Sequence, residues 1–171
     1  MSHTVTVNIQ FKDPDAFAAA ACALGGKDLG AGLHTMFDEQ QFAGRAVTLP
    51  GWTFPLVLAT DGRLHYDDYH GQWGNPADID RLKAAYALSA ARAACESLGW
   101  MAEPQADGSL LVYHPDGGTI TITTDGVIDA NGFQGVGCGE ATEKIAAALG
   151  QTVNAERKPE YNQTTQNLTQ L

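Results

Sequence analysis

The sequence predicts an α+β fold. Three observations predict it: an opening segment that alternates polar and apolar residues, alanine-rich stretches bounded by caps and glycines, and Asp-Gly dipeptides set between apolar runs. Residues 3–11 (HTVTVNIQF) place Val5, Val7, Ile9 and Phe11 on one face and Thr4, Thr6, Asn8 and Gln10 on the other, the period of a strand with one buried side. Asp13 then reads as an N-cap with Pro14 at the first helical position, and Gly25-Gly26 stop that helix. Residues 26–46 are Gly-rich and weakly patterned, and read as a loop with a short strand around Leu33–Phe37.

Asp61-Gly62 joins residues 56–60 and 64–68 as a hairpin. Asn75-Pro76 opens a long helix that Gly99 ends, roughly 35 Å of chain at 1.5 Å per residue. Ile79, Leu82, Tyr86, Ala90, Ala93 and Ser97 form its apolar stripe. Residues 100–104 and 109–114 read as strands about the Asp107-Gly108 turn. After the break at Pro115–Gly118, a strand, the Asp125-Gly126 turn, a second strand and a helix over 139–149 make a ββα unit. Such a unit is too small to fold well alone, so it is expected to pack on the rest of the chain or on another chain. The expected organisation is a ferredoxin-like split βαβ sheet over residues 1–114 with helices on one face, a ββα module over 118–161, and a polar disordered tail over 162–171.

The chain has 171 residues and a formal net charge of −10 from 20 acidic and 10 basic side chains. Affinity for a phosphate backbone comes from Lys and Arg displacing counterions, so direct nucleic-acid binding is not expected. The acidity serves solubility, a basic partner surface, or mimicry of a polyanion. No apolar run approaches the ~20 residues of a membrane span, and MSHTVTVNIQF reads as neither a signal nor a transit peptide; the expected location is cytoplasmic. Cys22, Cys95 and Cys138 are odd in number and widely spaced, without zinc-site spacing, and fit a reducing compartment. In their alanine-rich helices Cys22 and Cys95 are expected to be small buried apolar groups.

Two families are resembled. MSHTVTVNIQFKDPDAFAAAACALGG, with Trp73-Gly74, the helix at 76–98 and Gly99-Trp100, resembles the uncharacterised Ycf-thirty-five-like family of plastids, cyanobacteria, other bacteria and phages, over roughly residues 1–114. Residues 27–50 depart from that family's pattern. GFQGVGCGEATEKIAAALG followed by ERKPEYNQ resembles a second uncharacterised family of small ββα proteins. The two families lie near one another in genomes, and near AAA+ ATPases of the MoxR kind. The resemblance therefore implies two modules that work together as accessories to such an ATPase. It implies no activity.

Three constellations are candidates for function. In GVGCGEAT, Gly135, Gly137 and Gly139 surround Cys138 ahead of Glu140 and a helix; this reads either as an anion nest with a reactive thiol or as a tight turn with Cys138 in the core. The run His65-Tyr66-Asp67-Asp68-Tyr69-His70, on a strand, would put a His and a carboxylate on each face, part of a metal site or a wet hairpin end. The aromatic residues Trp52, Phe54, Tyr66, Tyr69, Trp73 and Trp100 read as a peptide-binding surface, with Trp52, Tyr66, Tyr69 and Trp73 its candidates, or as packing. No residue is picked as catalytic, and no cofactor is expected. The leading expectation is a non-enzymatic adaptor of bacterial or phage origin that binds a protein, a MoxR-type ATPase or a second copy. The alternatives are an acidic phage inhibitor of a host nucleic-acid-binding or defence protein, and a thiol-based redox or anion-binding protein using Cys138.

Overall fold

A computed structural model describes residues 3–37, 39–133 and 137–157; the expected tail over 162–171 lies outside them. In chain order its elements are β1 (His3–Ile9), α1 (Pro14–Ala23), β2 (Lys27–Thr35), β3 (Gln41–Thr48), β4 (Leu56–Ala59), β5 (Leu64–His65), α2 (Ala77–Ser97), β6 (Met101–Pro104), β7 (Leu110–Tyr113), β8 (Thr119–Ile122), β9 (Val127–Asn131), α3 (Gly137–Leu149) and β10 (Gly150–Arg157). The fold is mixed α+β, with one sheet of six strands and one of four. Every described strand pair is antiparallel. A split βαβ unit puts the two strands that flank its helix in one sheet, with a third strand between them. Here β1 and β2 flank α1 but lie in different sheets, and β2 to β5 pair in simple succession. The ferredoxin-like arrangement is thus replaced by two antiparallel sheets, because β1 is taken up by strands from the far end of the chain. No helix among the described residues is long and apolar enough to cross a membrane.

Two compact units divide the chain: Met1–Ile9 with Ala90–Leu171, and Gln10–Ser89. The first holds the six-stranded sheet, in the order β10-β1-β9-β8-β7-β6. β1 lies between β9 and β10, pairing Val5 with Ile128 on one side and Ala155 on the other. The expected boundary at 114–118 therefore falls inside the β7–β8 hairpin, and the ββα segment shares its sheet with the amino-terminal strand. The reason is the cost of a bare edge: without β1, both β9 and β10 would expose unpaired backbone. β8 and β9 alternate with Ile120, Ile122, Ile128 and Ala130 buried. Ile145 and Leu149 of α3 are buried as well, on a helix that packs against β1, β9 and β10. The strand β10 had no expectation in the sequence; its residues are mostly polar, and side chains 151–155 are exposed.

The second unit carries the four-stranded sheet, in the order β2-β3-β4-β5. Its α1 begins as expected, with Asp13 Oδ1 accepting the Asp15 N–H (2.9 Å) and Ala16 N–H (3.3 Å). It ends at Gly25, φ +86°, where the Gly26 N–H reaches back to the Ala21 carbonyl. The stretch 26–46 is a long hairpin rather than a loop with one short strand around Leu33–Phe37: β2 and β3 pair from Lys27–Thr48 to Thr35–Gln41. Backbone pairing holds this hairpin, since most β2 side chains stay exposed, and a hydrophobic period sees only side chains. Phe11 meets Phe17 and Tyr86 edge-to-face at 5.3 and 5.0 Å. The Tyr86 hydroxyl accepts the N–H groups of Lys12 (2.7 Å) and Asp13 (3.0 Å), fixing the chain just ahead of α1. Along α2 the buried stripe runs through Ile79, Leu82, Tyr86 and Ala90 and then through Ala91 and Cys95; Ala93 and Ser97 are exposed.

Candidate functional site

The second unit gathers aromatic side chains from three segments. Phe37 follows β2, Phe54 precedes β4, and Tyr69 and Trp73 lie in the loop after β5. Trp73 is the centre. Phe37 lies 4.3 Å and Phe54 5.1 Å from its ring, and Tyr69 stacks on it at 4.5 Å with 23° between the planes. Phe37 and Tyr69 remain 55% and 49% exposed, so the rings form a surface rather than a core.

The loop that holds this surface is shaped by its backbone. Asp67 Oδ1 accepts the Tyr69 N–H (3.1 Å), and the Asp68 carbonyl accepts the N–H groups of Gly71 (3.0 Å) and Trp73 (2.8 Å). The Thr53 N–H donates to the Trp73 carbonyl at 2.8 Å, tying the loop to the segment that carries Phe54. Tyr69 and His70 both sit in the left-handed region, φ +43° and +56°. Non-glycine residues there cost of order 1–3 kcal/mol each, and the surrounding structure must supply it. The strain lays the Tyr69 ring on Trp73. Beneath the loop, Gly74 is buried against Trp52: a Cβ on Gly74 would lie 2.3 Å from the indole. The Trp52 Nε1–H donates to Asp78 Oδ2 (3.1 Å), and its ring meets Tyr66 edge-on at 5.9 Å.

Beside these rings the same unit has an open cleft of about 830 Å³. Phe11, Leu58 and Ile79 supply buried apolar wall, Tyr66 lies along it, and Lys12, Arg45, Arg63 and Lys83 bring positive charge. Arg45 is held in place from outside the cleft lining, by Asp28 (2.5 Å) and Asp15 (3.0 Å). The Arg45 guanidinium and the Gly30 N–H hold the Asp28 carboxyl down, from 3.8 to about 2.

The alternatives left open by the sequence now separate by place. Of the expected surface residues, Tyr69 and Trp73 belong to the exposed cluster, Trp52 lies against Gly74 at the base of their loop, and Tyr66 meets Trp52 and lines the cleft instead. Trp100 belongs to the other unit, packed edge-on to His114 at 4.7 Å. His65 to His70 do not continue a strand: β5 stops at His65, whose ring stacks on Phe42 at 3.8 Å. The two-faced His/Asp arrangement is therefore absent, because strand pairing ends at His65 and the chain turns at Tyr69 and His70. Among the described residues no group of three or more His, Cys, Asp or Glu side chains could hold a metal ion.

Gly135 lies outside the described residues, as does the Cys138 side chain. Gly137, Gly139 and Glu140 form the first turn of α3. A Cβ on Gly137 would stand 3.5 Å from Asp116 Oδ2, so a carboxylate of this chain already lies beside that turn. Cys95 is buried as expected, and burial pushes its thiol up to about 11. Cys22 is exposed instead, because it shares the outer side of α1 with Ala19 and Ala23. Sequence reasoning missed Phe37 and the four cations. Phe37 closes the short strand expected around Leu33–Phe37 and is not grouped there with the other aromatics, and the cations come from four separate stretches with no local signature.

Residues 119–162 match the family described as Protein of unknown function (DUF2997). That match covers about a quarter of the chain and falls on the strands β8 and β9, α3 and β10, in the unit without the aromatic surface. No curated protein and no solved structure matches the chain.

Proposed function

We propose that this protein is a non-enzymatic adaptor that docks a protein partner on the aromatic surface of Phe37, Phe54, Tyr69 and Trp73. The observation that carries the reading is the strained, exposed stack of Tyr69 on Trp73. Chain strain and solvent-exposed rings both cost stability, and a surface kept at that cost is explained by what it binds. The partner's chemistry follows from the rim. Glu39 stands two residues from Phe37, and Asp67 and Asp68 lead into Tyr69, in a chain of net charge −10. A partner face with an apolar centre and a basic border is complementary. The resemblance drawn from the sequence points to a MoxR-type AAA+ ATPase in the bacterial or phage-infected cytoplasm, and long nucleic acids are not expected to bind.

The test is affinity purification of the tagged full chain from its host, with and without Tyr69→Ala/Trp73→Ala. Recovery of the ATPase by the native chain, and at least about tenfold less by the double variant, is expected, since such anchors each carry ~2 kcal/mol or more. Equal recovery by both, or no ATPase with either, overturns the reading.

A further inference from the structure

The cleft has the opposite charge from the molecule that contains it. Acids outnumber bases two to one in the chain, 20 against 10. The cleft lining reverses this: Lys12, Arg45, Arg63 and Lys83 against Asp61 alone. The four cations arrive from the segment before α1, from β3, from the β4–β5 turn and from α2, so no single helix face or charge run explains their convergence. Asp61 is also turned to its own backbone, its Oδ1 accepting the Arg63 N–H at 3.0 Å. Arg45 is neutralised by Asp28 and Asp15. Arg63 and Lys83 differ: both are exposed, and neither is paired with a carboxylate among the described residues.

The walls between these charges are apolar and aromatic. Phe11, Leu58 and Ile79 are buried behind the cleft, and Tyr66 keeps 43% of its surface exposed along it. The volume, about 830 Å³, falls in the range of small-molecule sites, roughly 300–1,000 Å³. Such a ligand needs at least two negative charges for Arg63 and Lys83, and a flat or apolar body for Tyr66 and the walls. The net charge of −10 does not forbid it. Distant carboxylates are screened over about 10 Å at ordinary ionic strength, whereas the cleft cations act at contact distance. A long polyanion, which must pass over the acidic exterior, does meet that repulsion.

We propose that the cleft binds a nucleoside di- or triphosphate, the phosphates on Arg63 and Lys83 and the base against Tyr66. This inference is independent of the docking surface, which uses Tyr69 and Trp73. ATP titrated calorimetrically into the full-length chain tests it, alongside pyrophosphate and adenosine as the two halves of the ligand. Saturable binding of ATP is expected, tighter than either half, weakening with added salt, and weakened about tenfold or more by Arg63→Glu/Lys83→Glu. Both side chains are exposed, so that variant should fold, and an unchanged circular dichroism spectrum verifies this. Tyr69→Ala/Trp73→Ala should bind ATP as the native chain does. No saturable binding in the millimolar range overturns the proposal, as does binding that the charge reversal leaves unchanged, or pyrophosphate binding as tightly as ATP.

Discussion

The two units of this chain use the same packing device to opposite ends. In one, Phe133 lies over Gly118, where a Cβ would sit 2.3 Å from the ring, and the ring is 1% exposed. In the other, Trp52 lies over Gly74 at the same closeness, yet the indole is only half-buried and reaches Asp78 and Tyr66. The first glycine seals a core. The second seats a ring that props up a surface. Both sheets leave apolar side chains in solvent at their edges, Met101 and Val153 in the six-stranded sheet and Leu29 and Leu33 in the four-stranded one. Both units also bury a core, but the exposed aromatic stack and the cationic cleft belong to the second alone.

The largest effect that could break this contrast concerns the independence of the carboxy-terminal segment. A fragment of residues 115–171 contains the whole matched family segment but lacks β1, β6 and β7. Without β1 the ladder between β9 and β10 is empty, and about 35 ordered residues cannot bury enough apolar surface to offset their conformational entropy. The fragment should show no cooperative melt by circular dichroism, and adding a peptide of residues 1–12 should restore some. A fragment that melts cooperatively by itself would mean the segment is a domain, and that β1 is only a guest in its sheet.

Next in size is the pair of glycines. Gly118→Ala forces a methyl into a sealed ring, and should cost about 1–3 kcal/mol in denaturant unfolding. Gly74→Ala should cost less, because the half-buried indole can swing outward. That swing breaks the Nε1–H bond to Asp78 and moves the base of the aromatic loop, so partner recovery should fall even though the fold survives. Equal losses of stability with partner recovery intact would erase the distinction between the two rings.

What could be read beforehand divides along the same line. Caps, helices and the Asp-Gly hairpins were legible because each rests on local chemistry: Asp13 with Pro14, Asn75 accepting the Ala77 N–H, and Gly108 and Gly126 with positive φ in their turns. The β2–β3 hairpin was not, because its glycines and exposed side chains carry no period, and its stability comes from the backbone ladder. β10 was hidden for the same reason. Insertion of β1 between β9 and β10 is a contact over more than a hundred residues, and nothing in either segment announces it. At the candidate site, Tyr69 and Trp73 stood out as aromatics near glycine, but the turn that stacks them depends on two successive left-handed residues, Tyr69 and His70, and a tyrosine does not forecast that conformation. The cleft cations were visible only as part of a net charge of the wrong sign.

The smallest effect separates the units by pH. In the second unit, the Arg45 guanidinium hydrogen-bonds Asp28 and, with the Gly30 N–H, keeps its carboxyl at about 2 rather than 3.8. A carboxyl depressed by folding contributes stability above its unfolded value and loses it as pH falls toward its folded value. The contribution should therefore be whole above about pH 4 and disappear between about 4 and 2. Both side chains are partly exposed, so solvent screening keeps the contribution small, and added salt should shrink it further. The native chain should lose more melting temperature than Asp28→Asn across that window, with the curves of the two converging near pH 2. The same comparison above about pH 5 should show a constant gap. Parallel curves throughout would mean that Arg45 is oriented by Asp15 alone, and that the second unit's cleft does not depend on the β2 side of its sheet.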